Sequence, residues 1–250
     1  MRKGSVSSAL WKTAVGALAI NLVWYLAALS LRMSPLPSPV SVYAHIPYLW
    51  DEGMGLHLLA SLRRIVLGLG IALFLALGAA LFIFRYRRLG AVLDAAVYFA
   101  YPVPKLALLP VVMLLAGLGD AAKVTMIVLI ILFQLTVTLR DSLRQIPSEN
   151  FLTLRSLGAS PLQMLRHLIL PSVAPDILSG LRVAVGTAIS VLFVTETYGT
   201  DRGMGYYIVD AWMRVDYLDM YAGIVLLSLA GFLIFLLSDI LEKALTPWRR

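Results

Sequence analysis

The chain has 250 residues, is 60% hydrophobic and 14% charged, and carries a formal net charge of +7. Its mean hydropathy of +0.85 and its charge content, well under the roughly 25% of a soluble domain, exclude a soluble enzyme, a disordered chain and a coiled coil. With no cysteine, disulfides, thiolate catalysis and Cys-based zinc or iron–sulfur sites are excluded as well.

In a membrane protein the surplus of positive charge reflects Lys and Arg kept in cytoplasmic loops, so no nucleic-acid partner is expected. A span needs about 20 apolar residues plus a loop. In chain order the candidates are Thr13–Leu31, Ile65–Phe84, Ala91–Leu115, Ala121–Leu139, Ser172–Tyr198 and Met220–Leu241. The expected fold is therefore all-α, a membrane bundle of six transmembrane helices. The first run follows Arg2 and Lys3 like a signal peptide but is too long for one, so an anchored first span is expected. Ser34–Pro39 (S-P-L-P-S-P) reads as a stiff, extended linker. It divides the chain into residues 1–56, a peripheral helix with an extracytoplasmic linker, and residues 57–250, a five-helix core. Gly68, Gly70 and Gly78 are expected to permit close helix packing.

The third and fifth runs are irregular. Pro102 and Pro104 interrupt the third, because proline cannot continue a helix without loss of backbone hydrogen bonds. Freed carbonyls at membrane depth are tolerated only inside protein or facing water. Lys105 beside them either snorkels to the outer interface or faces a translocation pathway and attracts anions. Pro102, Pro104, Lys105 and Glu196 are the candidate pathway residues, with Glu196 expected to pair with Lys105 or Arg202. His45, His57 and His167 lie far apart with no second ligand at metal spacing, so no metal site and no cofactor are expected.

Placing the N-terminus inside puts thirteen Lys and Arg in inner segments, among them Arg85, Arg87, Arg140, Arg144, Arg155 and Arg166, against five in the long outer segments. Both termini are thus expected in the cytoplasm, with Trp248, Arg249 and Arg250 as an interfacial anchor. Between the fourth and fifth spans, residues 147–171 form an amphipathic inner loop. Ser148 is a candidate N-cap for a helix over Glu149–Leu157. Gly158 ends it in a left-handed conformation. Ser160-Pro161 then reads as N-cap and first position of a second helix to about Leu170. Leu162, Leu165 and Ile169, with Met164 and Leu168, give that helix one apolar face.

The stretch Leu157-Gly158-Ala159-Ser160, with nine residues between Gly158 and Leu168 and then Leu168-Ile169-Leu170-Pro171, resembles the EAA loop of ABC importer permeases. The Gly and the Leu-Pro match in register, and Leu168 stands for an Ile. The Glu-Ala-Ala positions hold Leu152, Thr153 and Leu154, so the family's glutamate is missing. Glu149 lies three residues upstream. Tyr101-Pro102-Val103-Pro104-Lys105-Leu106-Ala107-Leu108-Leu109-Pro110, and Glu196 followed by Gly203-Met204-Gly205-Tyr206-Tyr207, resemble the nitrate/sulfonate/taurine branch.

The resemblance implies a transmembrane subunit of a type I importer in the cell inner membrane. Its partners would be a second permease subunit as a homodimer, ABC ATPase subunits and an extracytoplasmic solute-binding protein. The EAA loop would be the coupling helix that docks on the ATPase, through Arg155, Leu157, Gly158, Ala159, Ser160, Leu168, Leu170 and Pro171. Arg182 matches an Arg common in the family and is expected to bond helix ends near the inner gate. The branch favours a small anion such as a sulfonate, taurine, nitrate or bicarbonate, although related permeases move thiamine-precursor pyrimidines. Independently of the resemblance, the chain has no Gly-Lys pair and so no nucleotide-cradling G-x-x-x-x-G-K-[ST] loop. No catalytic residues are expected. The alternatives are a polytopic membrane enzyme, which needs a paired acid–base constellation at membrane depth, and an ion-coupled carrier, which needs no coupling loop.

Overall fold

In a computed structural model the described residues are 6–247, and they contain helices and no strands. The expected contributions of Arg2, Lys3, Trp248, Arg249 and Arg250 lie outside them. In chain order the helices are α1 (Val6–Leu31), α2 (Pro39–Asp51), α3 (Met54–Arg85), α4 (Arg87–Ala100), α5 (Leu109–Ala116), α6 (Asp120–Arg144), α7 (Ser148–Ser156), α8 (Pro161–Met164), α9 (Leu170–Glu196), α10 (Met204–Met213) and α11 (Tyr217–Leu245). Five helical stretches are long and apolar enough to cross a membrane, and the number is six if α4 and α5, bent by 88° across a break, count as one span.

The centre is a trio, α3, α6 and α9. Ala72, Ala76 and Ala80 of α3 are fully buried at four-residue spacing, against Ile127, Ile131 and Leu135 of α6 and Ala184, Ala188 and Leu192 of α9. Small side chains let backbones approach, which supplies dispersion contacts where lipid offers no hydrophobic drive. Gly68 belongs to this stripe, since an added Cβ would come within 2.5 Å of Ile127. Gly70 and Gly78 meet nothing within 4 Å, so the packing role expected of all three holds for Gly68 alone. The outward faces are apolar: Phe74, Phe99, Leu114 and Leu115 are all highly exposed, as lipid-facing or partner-facing helices require.

Two elements stand where the sequence reading has only loop. After Ser34–Pro39 the chain folds into α2, capped by Ser38, whose hydroxyl accepts from the Ser41 N–H at 3.2 Å, with Pro39 at the first turn. The preceding linker is tied down, because Trp24 donates to the Pro37 carbonyl at 3.0 Å. The other is α10, which with α2 and α11 builds a second apolar layer around Val42, Leu49, Met204, Ile208 and Leu227. Burial and the Asp219 carboxylate push the Tyr207 phenol of α10 well above its ordinary pKa. α1 joins this end through Trp24, stacked on Tyr221 at 5.5 Å, while Trp11, Leu18 and Ile20 stay exposed.

Candidate functional site

Three places hold the site residues expected from the sequence, and the first is the knuckle between α7 and α9. α7 begins at Ser148 itself, so Ser148 is a first-turn residue and Pro147 occupies the cap. At its other end Gly158 has φ +76°. The Gly158 N–H donates to the Arg155 carbonyl at 3.0 Å and the Ala159 N–H to the Leu154 carbonyl at 3.0 Å. This nested pair is a Schellman closure, which requires a left-handed residue at that position. Two residues on, Ser160 opens a capping box. Its hydroxyl accepts from the Gln163 N–H at 3.3 Å, and the Gln163 side chain accepts from the Ser160 N–H at 2.7 Å. Two of the orphan donors at this helix start, the Ser160 and Gln163 N–H groups, therefore have partners.

The second helix does not stop at Pro171. α8 passes through a π turn, Leu165–Ile169, directly into α9, where Pro171 lies in the first turn. The wider turn leaves room for a residue with no N–H to donate. Force on the knuckle thus has an unbroken helical route into the core. Leu168 is buried and Ile169 half-buried, while Leu152, Leu157 and Leu162 are exposed. Arg155 and Arg166 are also exposed. Phe151 meets Phe84 of α3 at 5.8 Å between ring centres.

The second place is the broken span. Between α4 and α5 lie Tyr101, Pro102, Val103 and Pro104, then a 3-10 turn over Lys105–Leu108. Lys105 folds back on the break. Its ammonium donates to the carbonyls of Ala100 at 2.9 Å, Tyr101 at 2.8 Å and Val103 at 3.4 Å, and sits 4.6 Å from the centre of the Phe133 ring. A cation is favourable at a helix C-terminus because the last carbonyls lack intrahelical donors. The break opens on a cavity of about 380 Å³ lined by Tyr101, Pro104, Lys105, Phe133 and Gln134. Tyr101 and Gln134 also line a second cavity, about 510 Å³, that continues past Thr138 and Ser142 to Asp141 and Asp176. Pro102 sits in the turn, outside both linings.

The third place is a buried charge knot, and it corrects the partners expected for Glu196. Glu196 is 1% exposed. Its carboxylate takes the Arg64 guanidinium at 2.6 Å, the Ser61 hydroxyl at 2.8 Å and the Gly205 N–H at 2.9 Å. Neither Lys105 nor the Arg202 side chain holds it. Arg202 contributes its backbone carbonyl, to Arg64, at 2.8 Å. Arg64 also binds Asp120 at 2.6 Å. Lys123, fully buried, donates to the Leu118 carbonyl at 2.6 Å. An added Cβ at Gly203 would come within 2.4 Å of the Glu196 carboxylate, so Gly203-Met204-Gly205 is glycine-rich because the chain crosses the knot at contact distance. Ser61, Arg64, Asp120 and Lys123 were missed as a group. Arg63 and Arg64 read as a flank of the second span, whereas α3 starts ten residues earlier, at Met54.

Other expectations are placed as follows. Arg182 reaches the carboxylates of Asp239 and Glu242 on α11, so side chains rather than helix ends hold it. His45 bonds Asp219 at 2.8 Å and His57 the Gly203 backbone at 3.3 Å. Among the described residues no group of His, Asp and Glu is arranged to hold a metal ion.

Residues 68–250 match the family described as binding-protein-dependent transport system inner membrane component. The chain belongs to that family. It is 30% identical to the taurine transport system permease protein TauC of Escherichia coli (strain K12), over 94% of this chain and 88% of that one. It is also 30% identical to the formylaminopyrimidine transport permease protein ThiX of Halalkalibacterium halodurans, over 93% and 94%. The fold is shared with the inward-facing MetNI methionine ABC transporter (TM-score 0.66, 19% identity, 75% of this chain and 93% of that one). A bacterial alginate ABC transporter in complex with its periplasmic protein shares it too (TM-score 0.67, 16% identity, 95% and 94%). The chain is a permease subunit of an ATP-binding-cassette importer of the inner membrane, and ATP hydrolysis belongs to a separate subunit.

Proposed function

We propose that this permease takes a small solute from an extracytoplasmic binding protein and passes it along the Lys105–Gln134 face, with the knuckle at Gly158 docked on the ATPase. The observation that carries the reading is the knuckle itself: a doubly capped turn with exposed Leu152, Leu157 and Leu162, continuous in helix with the central α9. A rigid apolar projection of this kind suits a groove on a partner. Arg155 and Arg166 flank it as polar contacts. Ala159, Ser160, Leu168, Leu170 and Pro171 shape it rather than touch the partner.

The two cavities that share Tyr101 and Gln134 support a route from the broken span toward the loop end. They are open on one side, and a second copy of the chain would close them. Pro102 and Pro104 create the break that widens the route. Lys105 caps it, with its protons already committed to carbonyls. Glu196 holds the outer ends of α3 and α9 together rather than meeting solute. The positive-inside distribution supports both termini in the cytoplasm. Residues 1–56 then form a peripheral unit on a core of 57–250. Relatives named for taurine, aliphatic sulfonates and nitrate support a small anion as solute. ThiX favours a pyrimidine instead.

The test is substrate-stimulated ATP hydrolysis. The permease is co-purified with its ATPase in lipid, and its binding protein is supplied with taurine, an alkanesulfonate, nitrate or a formylaminopyrimidine in turn. Stimulation by one of the anions is expected. Stimulation by the pyrimidine alone would overturn the anion assignment.

A further inference from the structure

A further cavity takes no part in the route above. It lies between the loop ends of α3, α4 and α6, has a volume of about 790 Å³, and is lined by Arg85, Arg87, Arg140 and Arg144 with Asp94 and Tyr98. Four guanidiniums converge where the lining offers one carboxylate. Asp94 engages Arg140 at 2.5 Å and Arg144 at 2.7 Å, and Asp141, just outside, takes Arg140 at 2.8 Å. Asp94 thereby ties Arg140 and Arg144 together. Arg140 is engaged by these two, Arg144 keeps half its surface open, and Arg85 and Arg87 are exposed, with no ion pair to a carboxylate among the described residues.

The cavity is not purely polar. It extends along α4 from Arg87 to Tyr98, eleven residues, or roughly 16 Å at about 1.5 Å per residue. Beside it α4 leaves Val92, Tyr98 and Phe99 highly exposed. A site with a cationic mouth and an apolar wall rising about half a hydrocarbon core matches an amphiphile whose anionic end stays at the interface. A soluble acidic partner satisfies the mouth alone.

We propose that this cavity binds an anionic phospholipid of the cytoplasmic leaflet, its phosphodiester held by Arg85, Arg87 and Arg144 and an acyl chain lying along α4. The choice of leaflet rests on the orientation proposed above. A lipid assay in detergent does not depend on it, and a terminal reporter reads orientation separately, so the two failures are distinguishable.

The experiment is native mass spectrometry of the purified full-length permease, titrated with phosphatidylglycerol or phosphatidylcholine of the same acyl chains. The wild type is expected to retain phosphatidylglycerol adducts through activation that strips phosphatidylcholine. Arg85→Gln/Arg87→Gln should weaken phosphatidylglycerol retention by roughly thirtyfold. Arg32→Gln/Arg202→Gln removes the same charge elsewhere and should bind as wild type. Thermal unfolding of each variant verifies that the bundle is intact. Equal retention of the two lipids, or equal loss in both double variants, would overturn the proposal. So would displacement of phosphatidylglycerol by millimolar glycerol phosphate, which marks a small-anion site with no use for the acyl chain.

Discussion

Lys105 shows how one side chain makes a broken helix tolerable inside a membrane. Two prolines interrupt the chain after α4, and the ammonium that follows them in sequence takes the last carbonyl of α4, at Ala100, together with those of Tyr101 and Val103 in the break. The two readings available from sequence, an interfacial anchor and an anion receptor, both assume a side chain pointing away from its own backbone. Lys105→Met should therefore lower the thermal unfolding temperature of the purified permease and reduce transport of every solute alike. Lys105→Arg should keep most of both. An unchanged melting curve with selective loss of anion uptake would restore the receptor role. Glu196 is a comparable case. Burying a charge requires a partner and hydrogen bonds for the remaining lone pairs, and Arg64, Ser61 and the Gly205 N–H supply them. Glu196→Ala leaves Arg64 buried beside Asp120 alone and should cost about 3–5 kcal/mol, read in denaturant-dependent unfolding in mixed micelles. Ser61→Ala removes the hydroxyl's bond to Glu196 and its acceptance from the Met204 N–H, but leaves no buried charge unpaired, and should cost about 1–3 kcal/mol. Comparable losses from the two variants would contradict the ranking.

At the scale of the element, the inner loop was the most legible part of the chain. Gly158 and Ser160-Pro161 carry backbone requirements that belong to residue type, a left-handed φ and a pre-set first turn, and these operate independently of tertiary context. The start of α7 was misplaced by one residue because serine serves at the cap and in the first turn alike. α2 was not legible as a helix, since the prolines around residues 35–39 read as extended chain, though Ser38-Pro39 has the same cap-then-proline form as Ser160-Pro161. The charge knot was hidden for another reason. Arg64 and Glu196 are 132 residues apart, and no local pattern pairs them. The one sequence trace was Gly203-Met204-Gly205, where small residues mark a close approach whose partner only the fold supplies. Within the knuckle, Ser160→Ala deletes half the capping box and should destabilise α8 by about 1 kcal/mol. Hydrogen exchange at the Gln163 amide reads this directly, and faster exchange there with no change in α7 is the expected outcome.

Across the whole molecule, apolar runs sufficed for the spans because they follow from bilayer thickness rather than from packing. What they do not encode is which helices form the centre. The trio of α3, α6 and α9 emerges from the small-residue stripe Gly68, Ala72, Ala76 and Ala80, and α1 remains at the margin. A reporter active only in an oxidising periplasm should stay silent at the C-terminus and light up when inserted near Thr200, in the loop between α9 and α10. The reverse pattern would invert the topology, and with it the side on which the knuckle meets a partner.

Coupling of that knuckle to the ATPase is tested most directly by one substitution. A Cβ at Gly158 meets nothing within 4 Å, so Gly158→Val acts through the backbone alone, forcing a β-branched residue against φ +76°. Gly231 is unsuitable as a control, because an added Cβ there comes within 2.4 Å of Ile189. Gly16, on the peripheral α1 with open space around it, serves instead. The measurement is capture of the ATPase by tagged permease, with hydrolysis stimulated by loaded binding protein, for wild type, Gly158→Val and Gly16→Val. Gly158→Val should insert normally yet lose the ATPase, or hold it without stimulation, while Gly16→Val matches wild type. Normal capture and normal stimulation in Gly158→Val would contradict the assignment of this turn as the coupling element.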